Sequence, residues 1–449
     1  MKTYSREQFV KDVTAGIIVA IIALPLSIAL ALASGVGPEA GIFTAIVAGF
    51  VISALGGSSV QIAGPTAAFA TIVAGIVAKN GLDGLVIATI LAGIFLILMG
   101  LCHFGTLIRF IPYTITTGFT AGIAVTIVIG QLKDFFGVTY PDGVKPIETM
   151  EKLHAFVENC GTVNLSAVIV GVVSLAILII SPYIFKKIPG SLLAVVAGIL
   201  MVKFLPLKAS TIGDLYSISN ALPGFHLPAL SLAAVEDAIP NAFTIAVLAA
   251  IESLLSCVVA DGMINGKHRS DMELVAQGAG NIASALFGGI PATGAIARTA
   301  ANIKNGGRTP IAGMVHSITL VLVLVVLMPY AGMIPMPTIA AILFVVAYNM
   351  CQWRPFAHLI QTAPKSDILV LLVTFFLTVV FDLVVAIEIG MLLTCLLFMK
   401  RMSDEMGVRS WLHVEELEEQ KRDEEEAAKG AKKANAIPSV EEAQLKAAA

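Results

Sequence analysis

Apolar runs separated by short polar joints fill the chain from residue 13 to residue 401. They read as about fourteen helical segments, at 13–33, 38–55, 65–78, 84–101, 112–131, 164–182, 190–205, 242–259, 273–287, 295–304, 310–328, 335–350, 367–381 and 384–399. A helix needs about 20 apolar residues to cross a bilayer, so the third and tenth segments are too short to span alone. The pattern predicts an all-α polytopic membrane protein in which these two are half-helices.

The tenth segment follows the sharpest interruption in the chain, Ser284 to Thr299. Pro291 with Gly288, Gly289 and Gly294 forbids a continuous helix there, although apolar helical sequence flanks it on both sides. Non-helical backbone at membrane depth survives only where protein buries it or where it lines a wet cavity. A helix restarting near Ala295 would present unpaired N–H groups carrying about half a positive charge, which suits an anion. Arg298 lies one turn further on, and helical side chains lean toward the N-terminus, so its guanidinium can reach the same point.

Composition agrees. At 57% hydrophobic and 13% charged residues, with a mean hydropathy of +0.90, the chain is no soluble globule. The net charge of −3 says little about partners. Five scattered cysteines form no CxxC pair and give neither a disulfide framework nor a metal site. Residues 1–12 read as a polar cytoplasmic segment with no removable signal peptide. Fourteen lysines and arginines fall in one set of alternating joints and the two ends, and six in the other set. By the positive-inside rule both ends are then cytoplasmic.

An internal repeat adds a second interruption. Ser53-Ala54-Leu55-Gly56-Gly57, followed by Ala63-Gly64-Pro65-Thr66-Ala67, echoes Ser284-Ala285-Leu286-Phe287-Gly288-Gly289 and its break, 231 residues later. Seven segments separate the copies, so the halves run in opposite directions through the membrane, and the two half-helix N-termini would face each other near the midplane.

These stretches resemble the SulP family of sulfate permeases, bicarbonate transporters and animal anion exchangers. The resemblance covers residues 8–410 and rests on Ala23-Leu24-Pro25, Pro38 to Phe43, Gly56 to Thr66, Ala250-Ile251-Glu252-Ser253-Leu254-Leu255, Asp261-Gly262, Gly280-Asn281 and Arg298 to Thr309. It implies a 7+7 inverted repeat in which segments 1–4 and 8–11 form a core and segments 5–7 and 12–14 a gate, within a transporter domain at 13–401. Many members carry a STAS domain after the last helix, whereas residues 402–449 here are rich in Ala, Glu and Lys and read as a charged helical or disordered cytoplasmic tail.

By the same resemblance, Pro25, Ser27, Thr66, Ala67, Ala295, Ile296, Ala297 and Arg298 border the anion, and Glu252 with Ser256 handles a coupling ion. In sodium-coupled relatives an aspartate, a hydroxyl and a threonine occupy three matching positions. Here these are Glu252, Ser256 and Ile296, and an isoleucine offers a cation no oxygen. An ionisable group at the centre of a spanning helix costs on the order of 2.5–3.5 kcal/mol even on insertion scales. Arg298 and Glu252 therefore either work or neutralise each other in an ion pair. Glu388, also at lipid depth, is open to a functional or a packing role, and His103 and His316 read as structural.

The expectation is a proton-coupled anion symporter of the plasma membrane working by elevator-type alternating access. Sulfate is its first substrate, with bicarbonate, chloride and C4-dicarboxylates such as fumarate as alternatives. Sodium-coupled bicarbonate symport, exchange and an anion channel are the competing readings. An enzyme finds no support, since zinc-ligand spacing, a nucleophile elbow and a phosphate loop are all absent. The expected partners are the anion, a proton or sodium ion, the bilayer and a second copy of the chain. No cofactor, metal or nucleic acid is expected.

Overall fold

The third and tenth segments are the ones the rest of the fold is built around. In a computed structural model, which describes residues 4–106, 113–141, 146–184, 189–205, 207–216, 218, 221–228, 231–380, 389–390, 392–393, 396–397, 399 and 411–434, each begins at a short paired strand. Strand β1 (Ala63–Gly64) pairs antiparallel with β2 (Thr293–Gly294), Ala63 opposite Gly294 and Gly64 opposite Thr293. Ala295 N–H extends the ladder by donating to Ile62 C=O at 3.0 Å. Helix α3 (Ala67–Leu101) leaves from the first strand, and a short helix (Ile296–Lys304) leaves from the second. Two helix N-termini thus meet across one two-stranded clasp, as the repeat predicts.

The intervening elements are α1 (Arg6–Ala33), α2 (Pro38–Leu55), α4 (Tyr113–Phe136), α5 (Thr149–Glu158), α6 (Leu165–Ile184), α7 (Gly190–Phe204), α8 (Ile212–Leu215), α9 (Leu232–Ile264) and α10 (Ser270–Leu286). The short helix after β2 is α11, followed by α12 (Pro310–Ala331), α13 (Met336–Cys351), α14 (Trp353–Thr362) and α15 (Lys365–Val380). Among the described residues, eight helices are long and apolar enough to cross a membrane. The protein is an all-α polytopic membrane protein.

Several boundaries differ from the sequence reading, each for a local reason. The third and fourth segments form one element, α3, broken at Gly81, whose φ of 71° is left-handed and easiest for glycine. Helix α1 begins at Arg6, inside the stretch expected to be a polar lead-in. Ser5 Oγ caps it by accepting from Gln8 N–H at 3.1 Å, and buried Asp12 ties it to the start of α12 through Thr309 Oγ1 at 2.6 Å and Arg308 N–H at 2.8 Å. The helices α5 and α14 are amphipathic and lie in joints between spans, where the search for uniformly apolar runs passes over them. Most of the fourteenth segment lies outside the described residues, as do Lys2, Arg109, Lys145, Lys186, Lys187, Lys400 and Arg401 among the twenty lysines and arginines counted for orientation. The chain divides into one unit at Met1–Leu393 and another at Thr394–Ala449, and within the second Trp411–Ala434 is helical.

Packing sorts the helices of the first unit into two groups. In one, α1, α2 and α12 pack on one another, α10 packs on both α2 and α3, and α9 packs on α3 and α11. In the other, α4 packs on α13 and α15, while α6 packs on α7 and α13. Small residues allow the closest approaches within each group. Gly278 of α10 lies against the backbone of Gly93 on α3, and Gly118 of α4 lies against the backbone of Leu371 on α15. The groups meet along a seam where α1, α3 and α4 touch.

Candidate functional site

The seam holds a cavity of about 360 Å³ at the two half-helix N-termini. Thr66 and Ala67 line it from the start of α3, Ala295, Ile296, Ala297 and Arg298 from the start of α11, and Glu252 from the middle of α9. Seven of the ten sequence-selected residues therefore share one wall-to-wall space. The wall facing them comes from α4 and α13 and carries Thr116, Thr120 and Asn349 beside Phe119 and Val346 but no charged group, so both charged residues of the cavity are on one side.

Arg298 is only 1% exposed, yet its guanidinium is incompletely satisfied. Nη2 donates to Ser27 Oγ at 3.1 Å and to Pro65 C=O at 3.3 Å, while Nε and Nη1 have no hydrogen-bond partner. Ser27 thus serves the site by holding the arginine, and Pro25, buried inside α1, lies two residues before it. Gly64 is where it is because of the same arginine, since a Cβ there would overlap the guanidinium. Such groups are rarely left unpaired in a protein interior, because removing an ion from water costs several kcal/mol.

Glu252 does not neutralise it. Its Oε2 accepts the Thr66 hydroxyl at 2.8 Å, and no ion pair joins it to Arg298 among the described residues. The internal salt bridge considered from the sequence is absent. Ser256, one turn along α9, is fully buried and directs its hydroxyl toward Thr299 Oγ1, 3.5 Å away, rather than lining the cavity. Glu388 lies outside the described residues. His103 is exposed, with Nδ1 2.9 Å from Asp271 Oδ2, and His316 is buried without a hydrogen-bond partner. Among the described residues no group of three or more His, Cys, Asp or Glu is placed to hold a metal ion.

One group escaped the sequence reading. Glu273 on α10 is fully buried and collects five donors: Gly57 N–H at 2.9 Å, Ser58 N–H at 3.2 Å, Gln61 Nε2 at 2.9 Å, Ser253 Oγ at 3.1 Å and Gln277 Nε2 at 2.9 Å. This carboxylate pins the 57–61 stretch, which leads into β1, onto α9 and α10. Two turns along, Asn281 does the same for the other break, donating to Ala292 C=O and accepting Ala292 N–H, both at 2.8 Å. The signal was present as Glu273, Gln277, Asn281 and Ser284, a polar stripe at helical spacing on a membrane helix.

Comparison with known proteins agrees with this architecture. The sulfate permease family profile matches residues 9–374. YvdB of Bacillus subtilis, which carries a sulfate-transporter name, is 44% identical over 409 residues, covering 90% of this chain and 76% of its own. The bicarbonate transporter BicA of Picosynechococcus is 33% identical over 404 residues, covering 88% of this chain and 70% of its own. The solved transmembrane domain of a cyanobacterial BicA superposes with a TM-score of 0.77 at 29% identity, over 86% of this chain and 98% of that one. SLC26A9 shares the fold at a TM-score of 0.80 and 19% identity, over 89% of this chain and 67% of its own. Facing half-helices, a buried arginine between them and a profile match over most of the chain together make this protein a member of the sulfate permease family, a family of multi-pass membrane anion transporters and not of enzymes.

Proposed function

We propose that this anion transporter is a secondary active symporter that carries a small inorganic anion, sulfate first, together with a proton across the plasma membrane. The observation that carries the reading is the buried guanidinium of Arg298, two of whose nitrogens have no partner, beside a cavity into which two helix N-termini point. Helix ends contribute roughly 0.3–2 kcal/mol each toward an anion, too little to strip one of its water. A desolvated cation supplies the rest, and an anion in the cavity would neutralise it in turn.

Coupling follows from one hydroxyl. Thr66 has a single O–H, and it donates to Glu252 Oε2. An anion seated at the N-terminus of α3 would draw on that same proton. Once Glu252 takes up a proton it no longer needs the hydroxyl, and the repulsion between its carboxylate and the anion disappears. Proton and anion then assist each other, and by linkage each raises the affinity for the other by the same factor. Sodium fits less well, because Ile296 contributes no side-chain oxygen and Ser256 is turned toward Thr299, while a hard cation prefers a full shell of oxygens.

Alternating access would come from the two helix groups moving past each other, with α1–α3 and α9–α12 as the core that carries the site and α4–α7 with α13–α15 as the gate. The cavity reaches Asn349 and Gln352, both exposed and next to Arg354, at the end that the loop charges assign to the cytoplasm. This conformation would be the inward-facing one, with both termini cytoplasmic. The likeness to BicA favours bicarbonate as a second substrate reading.

Uptake of labelled sulfate into proteoliposomes tests the reading, with pH and sodium gradients imposed separately and with bicarbonate, chloride, fumarate and succinate as competitors. Saturable accumulation driven by an inward proton gradient and indifferent to sodium is expected. Sodium-driven uptake, or unsaturable conductance at channel rates, would overturn it.

A further inference from the structure

A second cavity, of about 300 Å³, lies along the same seam. The three helices that meet there contribute to both cavities in a consistent order. On α1, Leu26 and Leu30 line the first cavity and Leu32 and Ala33 the second. On α3, Thr66 to Ala68 line the first, and Ala70, Thr71, Ala74 and Ala78 the second. On α4, residues 115–120 line the first and 126–134 the second. A shift of about ten residues along α4 is roughly 15 Å, so the cavities lie in line at different depths. Between them α4 presents Ala121, Ile123 and Ala124, all at most 3% exposed. The seam is therefore packed shut between two open ends.

The second cavity is not an apolar packing defect. Gln131, 8% exposed, lines it and makes no side-chain hydrogen bond. Thr71 also lines it, with its Oγ1 buried and without a partner, although helical threonines ordinarily satisfy themselves on the preceding turn. Lys152 of α5, Asp134 of α4 and Thr126, whose hydroxyl donates to Gly122 C=O at 3.1 Å, complete the polar lining, and no ion pair joins Lys152 to Asp134 among the described residues. A buried hydroxyl left unsatisfied costs about 1–3 kcal/mol, and the Gln131 amide, which is not sealed off, keeps its donors free toward the cavity. Unspent donors in line with the anion cavity suit an occupant that passes through.

We propose that this cavity is the far mouth of the anion path, in which Lys152 draws the anion in and the free Gln131 amide and Thr71 hydroxyl receive it. Asp134 keeps the hold weak, as a conducting path requires sites that release what they bind. The assignment rests on the anion-transport reading, and the experiment separates the two.

Cysteines are placed one at a time at Gln131 and at Asn349 in a chain whose Cys102, Cys160, Cys351 and Cys395 are serine and whose fully buried Cys257 is kept, and sealed vesicles of both orientations are treated with a membrane-impermeant anionic thiol reagent. Gln131→Cys should react from the side opposite to Asn349→Cys, and substrate should slow its reaction. In parallel, Lys152→Gln should raise KM about three- to tenfold for anion presented at the far side and by much less for anion presented at the near side, as expected for one charge a few ångströms away in a wet site. Asp134→Asn should lower the far-side KM. Reaction of both cysteines from the same side, no reaction of Gln131→Cys while Asn349→Cys reacts, or an equal effect of Lys152→Gln on both sides would overturn the far-mouth assignment. Absence of anion flux in the parent protein would instead overturn the anion reading, whatever the labelling shows.

Discussion

Replacing Arg298 separates the service to the anion proposed for it from any service to the fold. Its two hydrogen bonds go to neutral oxygens, Ser27 Oγ and Pro65 C=O, and the rest of its donors are unspent. Arg298→Ala therefore breaks no ion pair, and removing a desolvated charge offsets the cavity left by one of the largest fully buried side chains, so the empty protein should lose little stability. With anion present the balance reverses. A charge-assisted hydrogen bond is worth about 1.5–3 kcal/mol, which at about 1.4 kcal/mol per decade corresponds to a KM raised roughly 10- to 150-fold. Arg298→Lys should recover part of that, because lysine keeps the charge but lacks the planar fork that holds Ser27, Pro65 and an anion at once. Uptake kinetics give KM, and thermal melts with and without sulfate give stability. The parent protein should melt higher with sulfate, and Arg298→Ala should lose that shift while its sulfate-free melt stays within a few degrees. A KM within twofold of the parent, or a large drop in the sulfate-free melt, would refute the counter-charge role and make the arginine a packing residue.

Three further changes test the surrounding geometry. Gly64→Ala should abolish transport while sparing membrane insertion, because its methyl would displace the guanidinium; normal uptake in that variant would show that the arginine need not lie where it does. Glu252→Gln should lose accumulation against a gradient but keep anion exchange, and its uptake should no longer rise as pH falls on the side of presentation; retained proton-driven accumulation would remove Glu252 from coupling. Glu273→Leu leaves the Gly57 and Ser58 N–H groups buried without an acceptor, at about 1–3 kcal/mol each, so the melting temperature should fall by many degrees, and an unchanged melt would mean that water or a rearranged backbone replaces the carboxylate.

Much of the plan was legible because bilayer physics leaves few options. Breaks at Gly56 to Pro65 and Gly288 to Gly294 inside apolar sequence had to be protected, and the 231-residue offset between them matches the pairing of Ala63 with Gly294 across the clasp. Arg298 was legible for the same reason, as a charge that hydrocarbon does not tolerate without a use. What eluded the sequence was partnership. An Arg298 to Glu252 ion pair and the Thr66 to Glu252 hydrogen bond are equally compatible with the spacing along the chain, because which side chains meet depends on how α9 and α11 are rotated against each other. The amphipathic α5 was missed because it need not cross the membrane, and with it went the placement of Lys152 beside α4.

The two membrane-depth glutamates show why burial alone does not identify function. A carboxylate has about four lone-pair positions for hydrogen bonds. Glu273 meets five donors from three parts of the chain, and no acceptor capacity is left for a mobile ion. It therefore reads as a fastener, holding the approach to β1 against α9 and α10. Glu252 meets one donor, Thr66, and faces a cavity with its other positions open. That donor is itself at the N-terminus where an anion would bind. Of the two, only Glu252 could gain or lose a proton without dismantling the fold around it, and only its hydrogen bond would compete with substrate in the proposed cycle. The count of donors, more than depth or charge, divides the residue that builds the site from the one proposed to run it.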